Sequence, residues 1–160
     1  MVEQPRMNLA EMMPDAFRHL LAIDGLISKN LDHKLSHLVK IRASQINGCA
    51  FCLAMHTDAA LQEGERPERL FALPAWRESP LFEKRERSAL TWLEEITLIA
   101  DHGASAEAYE DLGRNFSQEE IGWLTMLSAL INSANRLAIA SRLQYDPGLV
   151  EAAKQLVPQD

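Results

Sequence analysis

Apolar residues recur at three- and four-residue spacing along almost the whole chain, and nowhere do they alternate over the length of a strand. Phe17, Leu20, Leu21, Leu26 and Ile27, with Ile23 partly off the face, predict an amphipathic helix over 15–29. Asp32 is placed to cap a second helix carrying Leu35, Leu38, Val39, Ile41 and Ile46, which Asn47-Gly48 then stops. A third helix runs from Cys49 to about Glu63 and ends at Gly64. Pro67 and Pro74 reduce residues 66–79 to short helical turns around Leu70, Phe71, Leu73 and Trp76. A strong helix follows from Glu83 to about Ala100, closed by His102-Gly103, and then a short acidic-faced one over 105–113. Ser117 with Glu120 three residues on is a capping box, opening a long helix to Leu143. Pro147-Gly148 breaks the chain before a short C-terminal helix. The predicted fold class is all-α.

A chain of 160 residues is long enough for one domain, 1–160, with a real core. Its 47% hydrophobic and 24% charged residues are ordinary for a soluble protein. The net charge of −7 argues against nucleic acid or an anionic membrane surface as a partner. The uncharged stretch from Ile121 to Asn135 is too short to span a bilayer and is interrupted by Ser128, Asn132 and Ser133. It reads as a helix buried on most sides, in the core or at a subunit interface. Glu3, Arg6 and Glu11 leave no apolar signal segment near the start, so a cytoplasmic location is expected.

The chemistry is concentrated at Cys49-Ala-Phe-Cys52, which holds both cysteines of the chain, and at His56 four residues later. At about 100° per residue the three side chains fall within roughly a 60° arc of one helix face. Thiols at a helix N-terminus feel the positive end of its dipole, which favours thiolate, the reactive form. The layout is that of a redox dithiol with its own base. Two other readings stand beside it. Cys49, Cys52 and His56 supply three of the four ligands of a zinc site, although no second cysteine pair completes one. The pair could also be inert and buried. A thioredoxin-like domain would need an α/β pattern, which is absent.

With Asn47-Gly48-Cys49-Ala50-Phe51-Cys52 and His56, the chain resembles the AhpD-like alkylhydroperoxidase core of the carboxymuconolactone decarboxylase superfamily. The likeness extends through 38–45, Met55-His56-Thr57, Gly64, Trp76–Phe82 and the helix from Glu83, and covers about residues 15–145. It implies a helical thiol peroxidase assembled as a trimer or hexamer; on the ligand count no metal is expected, and no cofactor is expected either. It further implies that Cys52 attacks the peroxide, Cys49 resolves the sulfenic acid to a disulfide, and His56 moves protons. The decarboxylase branch lacks the cysteine pair. In the founding enzyme a glutamate twelve residues before the first cysteine pairs with the histidine; that position here is His37. The residue before the second cysteine, a histidine in that enzyme, is Phe51 here.

His37 lies eleven residues before Gly48 and His56 eight after it. If the chain reverses at Asn47-Gly48, their heights differ by less than a turn and the two rings can face each other. On that geometry His37 takes the relay position, and the reading expects His37→Glu to raise a weak native activity. A histidine merely packed or exposed there is the alternative. Arg42 is expected in a structural ion pair with Glu94 or Glu95, and Ser44 in helix packing. The sequence thus predicts a hydroperoxide reductase, recycled by a dithiol protein or small thiol, that takes its peroxide through an apolar pocket near a subunit contact. The other function class is a redox-sensing or scaffold oligomer with negligible turnover.

Overall fold

Caps and stops set most helix boundaries in the computed structural model, which describes residues 4–146. A single turn, α1 (Leu9–Met12), leads into α2 (Pro14–Asn30), whose first position is a proline with no N–H to waste. Asp32 caps α3 (His33–Asn47) by accepting from the Leu35 N–H at 2.8 Å. Gly48 ends it at φ +70°, and the Cys49 N–H closes back onto the Ser44 carbonyl at 3.0 Å. α4 (Ala50–Gln62) starts at once and runs back along α3. Then come α5 (Pro67–Ala72), a 3-10 turn (Leu73–Ala75), α6 (Lys84–Thr97), α7 (Ile99–His102), α8 (Ala106–Asn115) and α9 (Gln118–Ser141). Ser117 and Glu120 form the expected capping box of α9. No strand occurs among the described residues, and none of their helices is long and apolar enough to cross a membrane.

α3 is the helix around which the others pack. Leu35, Val39 and Ala43 join a cluster with Ile27 of α2, Leu93 of α6, Leu112 of α8 and Leu124, Leu127 and Ile131 of α9. Leu38 and Ile41, on its other side, join Ala60, Leu70, Leu73, Trp76, Phe82 and Leu90. Buried on two sides, α3 holds its polar residues in place by pairing. Ser44 donates to the Lys40 carbonyl at 2.7 Å, as a packing residue would. Arg42 pairs with Glu94 at 2.7 Å, and the same carboxylate accepts from Trp76 Nε1 and from Arg77. That carboxylate ties the segment after the 3-10 turn to α6 and α3.

Three expectations shift. The predicted helix 83–100 breaks at Leu98, whose backbone leaves the helical region at φ −103° and ψ 35°. Glu95, the second candidate for Arg42, instead accepts from the N–H and hydroxyl of Ser105, the N-cap of α8. Leu26, counted on the inner face of the first helix, is 52% exposed. α9 is buried along Leu124, Leu127, Ser128, Ile131, Asn132 and Asn135, yet Met126, Leu137 and Ile139 remain exposed. The short helix expected beyond Pro147 lies outside the described residues.

Candidate functional site

The turn between α3 and α4 positions the cysteines. With Gly48 in the left-handed region, Cys49 falls at the N-cap of α4, and its Sγ accepts from the Cys52 N–H at 3.3 Å. Cys49 and Cys52 are joined as a disulfide with Cα atoms 5.4 Å apart. A polar network fixes this turn to α9. Asn47 Nδ2 donates to Asn132 Oδ1 and Asn135 Oδ1, each at 2.9 Å, and Asn135 Nδ2 donates to Ser44 Oγ at 3.1 Å.

Both sulfurs are deep. Cys49 is 1% and Cys52 2% exposed, packed on Ala138 with Phe51 and Leu143 closing the cluster. Phe51, the residue at the position of the founding enzyme's extra histidine, meets Tyr145 edge-on at 6.2 Å between ring centroids, and Tyr145 Oη bonds Asp58 at 3.1 Å. The segment after α9 therefore covers the start of α4. An open groove of about 590 Å³, lined by Ile41, Leu53, Ala54, Leu61, Leu70 and Phe71 among others, lies on a different face of α4, and neither cysteine lines it.

His56 lies one turn beyond Cys52 on α4 and is partly buried. Its pKa is held well below the usual histidine value by loss of hydration, then by the charge of Lys40 and by His37. Neutral imidazole is therefore its resting form, able to accept a proton. Lys40 is itself buried and reaches Asp24 of α2 at 2.6 Å. His37, in the founding glutamate's position, directs Nε2 at Glu63 Oε2, 3.2 Å away, while its Nδ1 is buried without a hydrogen-bond partner. His33 Nδ1 approaches the same oxygen at 3.4 Å, with its Nε2 3.0 Å from the Ser28 carbonyl. Partial burial alone would raise the Glu63 pKa, but the hydrogen bond and charge of His37, then His33, bring it below the ordinary value. Glu63 is thus a carboxylate at neutral pH.

The structure brings together the Cys49–Cys52 pair, and it makes His37 and His56 electrostatic neighbours across the α3–α4 hairpin. Sequence reasoning missed Glu63 and Lys40. Glu63 stands seven residues after His56, two turns along one face, and Lys40 three after His37, so helical spacing could have found both. Among the described residues no group of three or more His, Cys, Asp or Glu is placed to hold a metal ion.

Known proteins share this fold. The chain is 33% identical over 136 residues to the uncharacterized protein YdfG of Bacillus subtilis, covering 84% of this chain and 92% of that one. A solved structure of a protein of unknown function from Agrobacterium tumefaciens, described as a candidate antioxidant defence protein AhpD, superposes with a TM-score of 0.86. It shares 39% identity, over 89% of this chain and 99% of that one. The debrominase Bmp8 shares the fold at a TM-score of 0.71 and 20% identity, over 91% of this chain and 79% of its own. Residues 14–95 match the profile of one family across the stretch that carries α2, the α3–α4 hairpin and most of α6. The chain belongs to the carboxymuconolactone decarboxylase family, with the AhpD-like fold.

Proposed function

We propose that this protein is a thiol-dependent hydroperoxide reductase that cycles Cys49 and Cys52 between dithiol and disulfide. The observation that carries the reading is the pair itself, bonded at the start of α4 with neutral His56 one turn beyond it. In the reduced protein, Cys52 gives its proton to His56 and its thiolate attacks one peroxide oxygen. The O–O bond breaks, the departing alkoxide takes the proton back and leaves as alcohol, and Cys52 becomes a sulfenic acid. The Cys49 thiol then attacks the Cys52 sulfur; water leaves and the disulfide forms. A dithiol reductant restores both thiols and leaves as its own disulfide. The net change converts one peroxide and one dithiol into alcohol, water and a disulfide. We place this cycle in a reducing cytoplasm and in a homo-oligomer, a trimer or hexamer.

Cys52 is the attacking thiol because His56 stands at i+4 to it, a spacing at which helix side chains are neighbours. The expected result is that Cys49→Ser accumulates a trappable sulfenic acid on Cys52 under peroxide, while Cys52→Ser reacts far more slowly. The reverse order would exchange the roles.

The depth of both sulfurs favours a second reading, a redox-sensing oligomer whose disulfide changes shape or partner binding. One stopped-flow experiment separates the two, with peroxide consumption and thiol oxidation followed together under excess dithiol reductant. Many peroxides consumed per chain mean an enzyme. One per chain, with two thiols lost, means a sensor.

A further inference from the structure

We propose that His37 and Glu63 form a carboxylate–imidazole dyad that receives the dithiol's proton, with His37 Nδ1 as the accepting atom and Glu63 as its positioning residue. The inference rests on the thiol chemistry proposed above and adds to it the place where the proton is held.

The argument begins with hydrogen-bond valence. An ionised carboxylate only accepts, so the 3.2 Å contact from His37 Nε2 to Glu63 Oε2 requires the hydrogen on Nε2. A neutral His37 then carries a bare lone pair on Nδ1. That nitrogen is buried and has no partner. Buried polar atoms without partners are uncommon in folded proteins and call for a reason. A base waiting for a proton is such a reason, and the charge of His37 is felt across the packed α3–α4 hairpin at His56, the first acceptor from Cys52.

The charges nearby favour passing the proton on. A proton left on His56 faces the Lys40 ammonium, whose own partner Asp24 lies on the α2 side. A proton moved to His37 faces the Glu63 carboxylate instead. His33 also reaches Glu63, but its Nε2 sits on the Ser28 carbonyl, which only accepts. His33 Nδ1 stands 3.4 Å from Glu63 Oε2 on an exposed ring, against 3.2 Å for Nε2 of the largely buried His37, so His37 is the closer and more buried partner of Glu63. The step moves one proton, from Cys52 Sγ through His56 to His37 Nδ1, and the alkoxide later recovers it. The missing family glutamate is thereby replaced at one remove: the carboxylate comes from the end of α4 and acts through the imidazole of α3. This changes the expectation for His37→Glu, which would set two carboxylates together and remove the acceptor, lowering activity.

The test uses the full chain in a Cys49→Ser background, with iodoacetamide alkylation of Cys52 followed against pH. Alkylation reads thiolate formation without any peroxide. Glu63→Gln is expected to slow it about 10-fold near pH 7 and to move its pH profile upward, with Glu63→Asp recovering most of the rate. Nitrogen-15 spectra of the histidine rings should show His37 as the Nε2–H tautomer in the native protein, and lose that preference in Glu63→Gln, whose amide can donate. His33→Gln should stay within about twofold of the native rate. An unchanged alkylation profile in Glu63→Gln, or an Nδ1–H tautomer of native His37, would overturn the dyad, whatever the peroxide assays give. If native protein shows no peroxide turnover while Glu63→Gln still shifts the profile, the dyad stands and the peroxidase reading falls.

Discussion

His56 makes stability depend on pH near neutrality, and removing it should reduce that dependence. Its folded pKa lies well below 6.5, chiefly because the ring is taken out of water and then because Lys40 and His37 oppose a positive charge. The unfolded chain binds a proton near pH 6.5. Between the two values the unfolded state holds more protons than the folded one, so stability is fully present above 6.5 and declines as pH falls. If the folded ring stays neutral, one group loses 2.303RT per pH unit, which integrates to about 1.4 kcal/mol between pH 7.5 and 5.5. For a chain of this size that is a fall in melting temperature of about 3–6 °C. Glu63, Glu94 and Glu120 have lowered pKa values, so their contributions hold above the ordinary carboxylate range and fade only at more acid pH. The assay is urea unfolding of the oxidised protein and of His56→Gln at fixed protein concentration, from pH 7.5 to 5.5. The difference between the two curves should narrow towards pH 5.5 by an amount approaching that figure. Curves that stay parallel would show that His56 titrates like a solvated imidazole, and the argument for a neutral base beside Cys52 would fail with it.

Three further outcomes follow from the packing around the turn. Asn135 is fully buried and bonds both Asn47 and Ser44, so Asn135→Ala should destabilise by about 2–3 kcal/mol in urea unfolding, since Asn47 keeps Asn132 and Ser44 keeps the Lys40 carbonyl. Gly48→Ala meets no atom within 4 Å of the new Cβ but keeps φ at +70°; the backbone term alone costs about 1–2 kcal/mol, and a change within 0.3 kcal/mol would mean the turn relaxes. Met126 and Leu137 are exposed on α9 at eleven-residue spacing, on one face, so light scattering should give a multiple of 18.0 kDa. Met126→Lys with Leu137→Lys should lower that mass, and a native monomer at micromolar concentration would refute the interface.

Local patterning determined the helices and the chemistry. Asp32, Ser117 and Glu120 are short-range caps, and the Asn47-Gly48 stop acts within two residues, so the α3–α4 hairpin could be read directly from the chain. The cysteine spacing likewise put both sulfurs on one helix turn without help from any distant residue. Helical periodicity, however, says which residues share a face and nothing of what that face meets. Leu26 was placed inward by spacing and lies outward because no helix covers it. Glu94 and Glu95 were equivalent in sequence, and only the positions of Arg42 and Ser105 divided them. At the site, helical spacing put Glu63 on the face of His56 and Lys40 on that of His37, while the packing of α3 on α4 brought Glu63 to His37 and set Lys40 against His56. It also closed Phe51, Ala138 and Leu143 over the sulfurs. Burial and charge are sums over residues far apart in the chain, so the sequence supplied the reactive groups while tertiary packing decided their protonation.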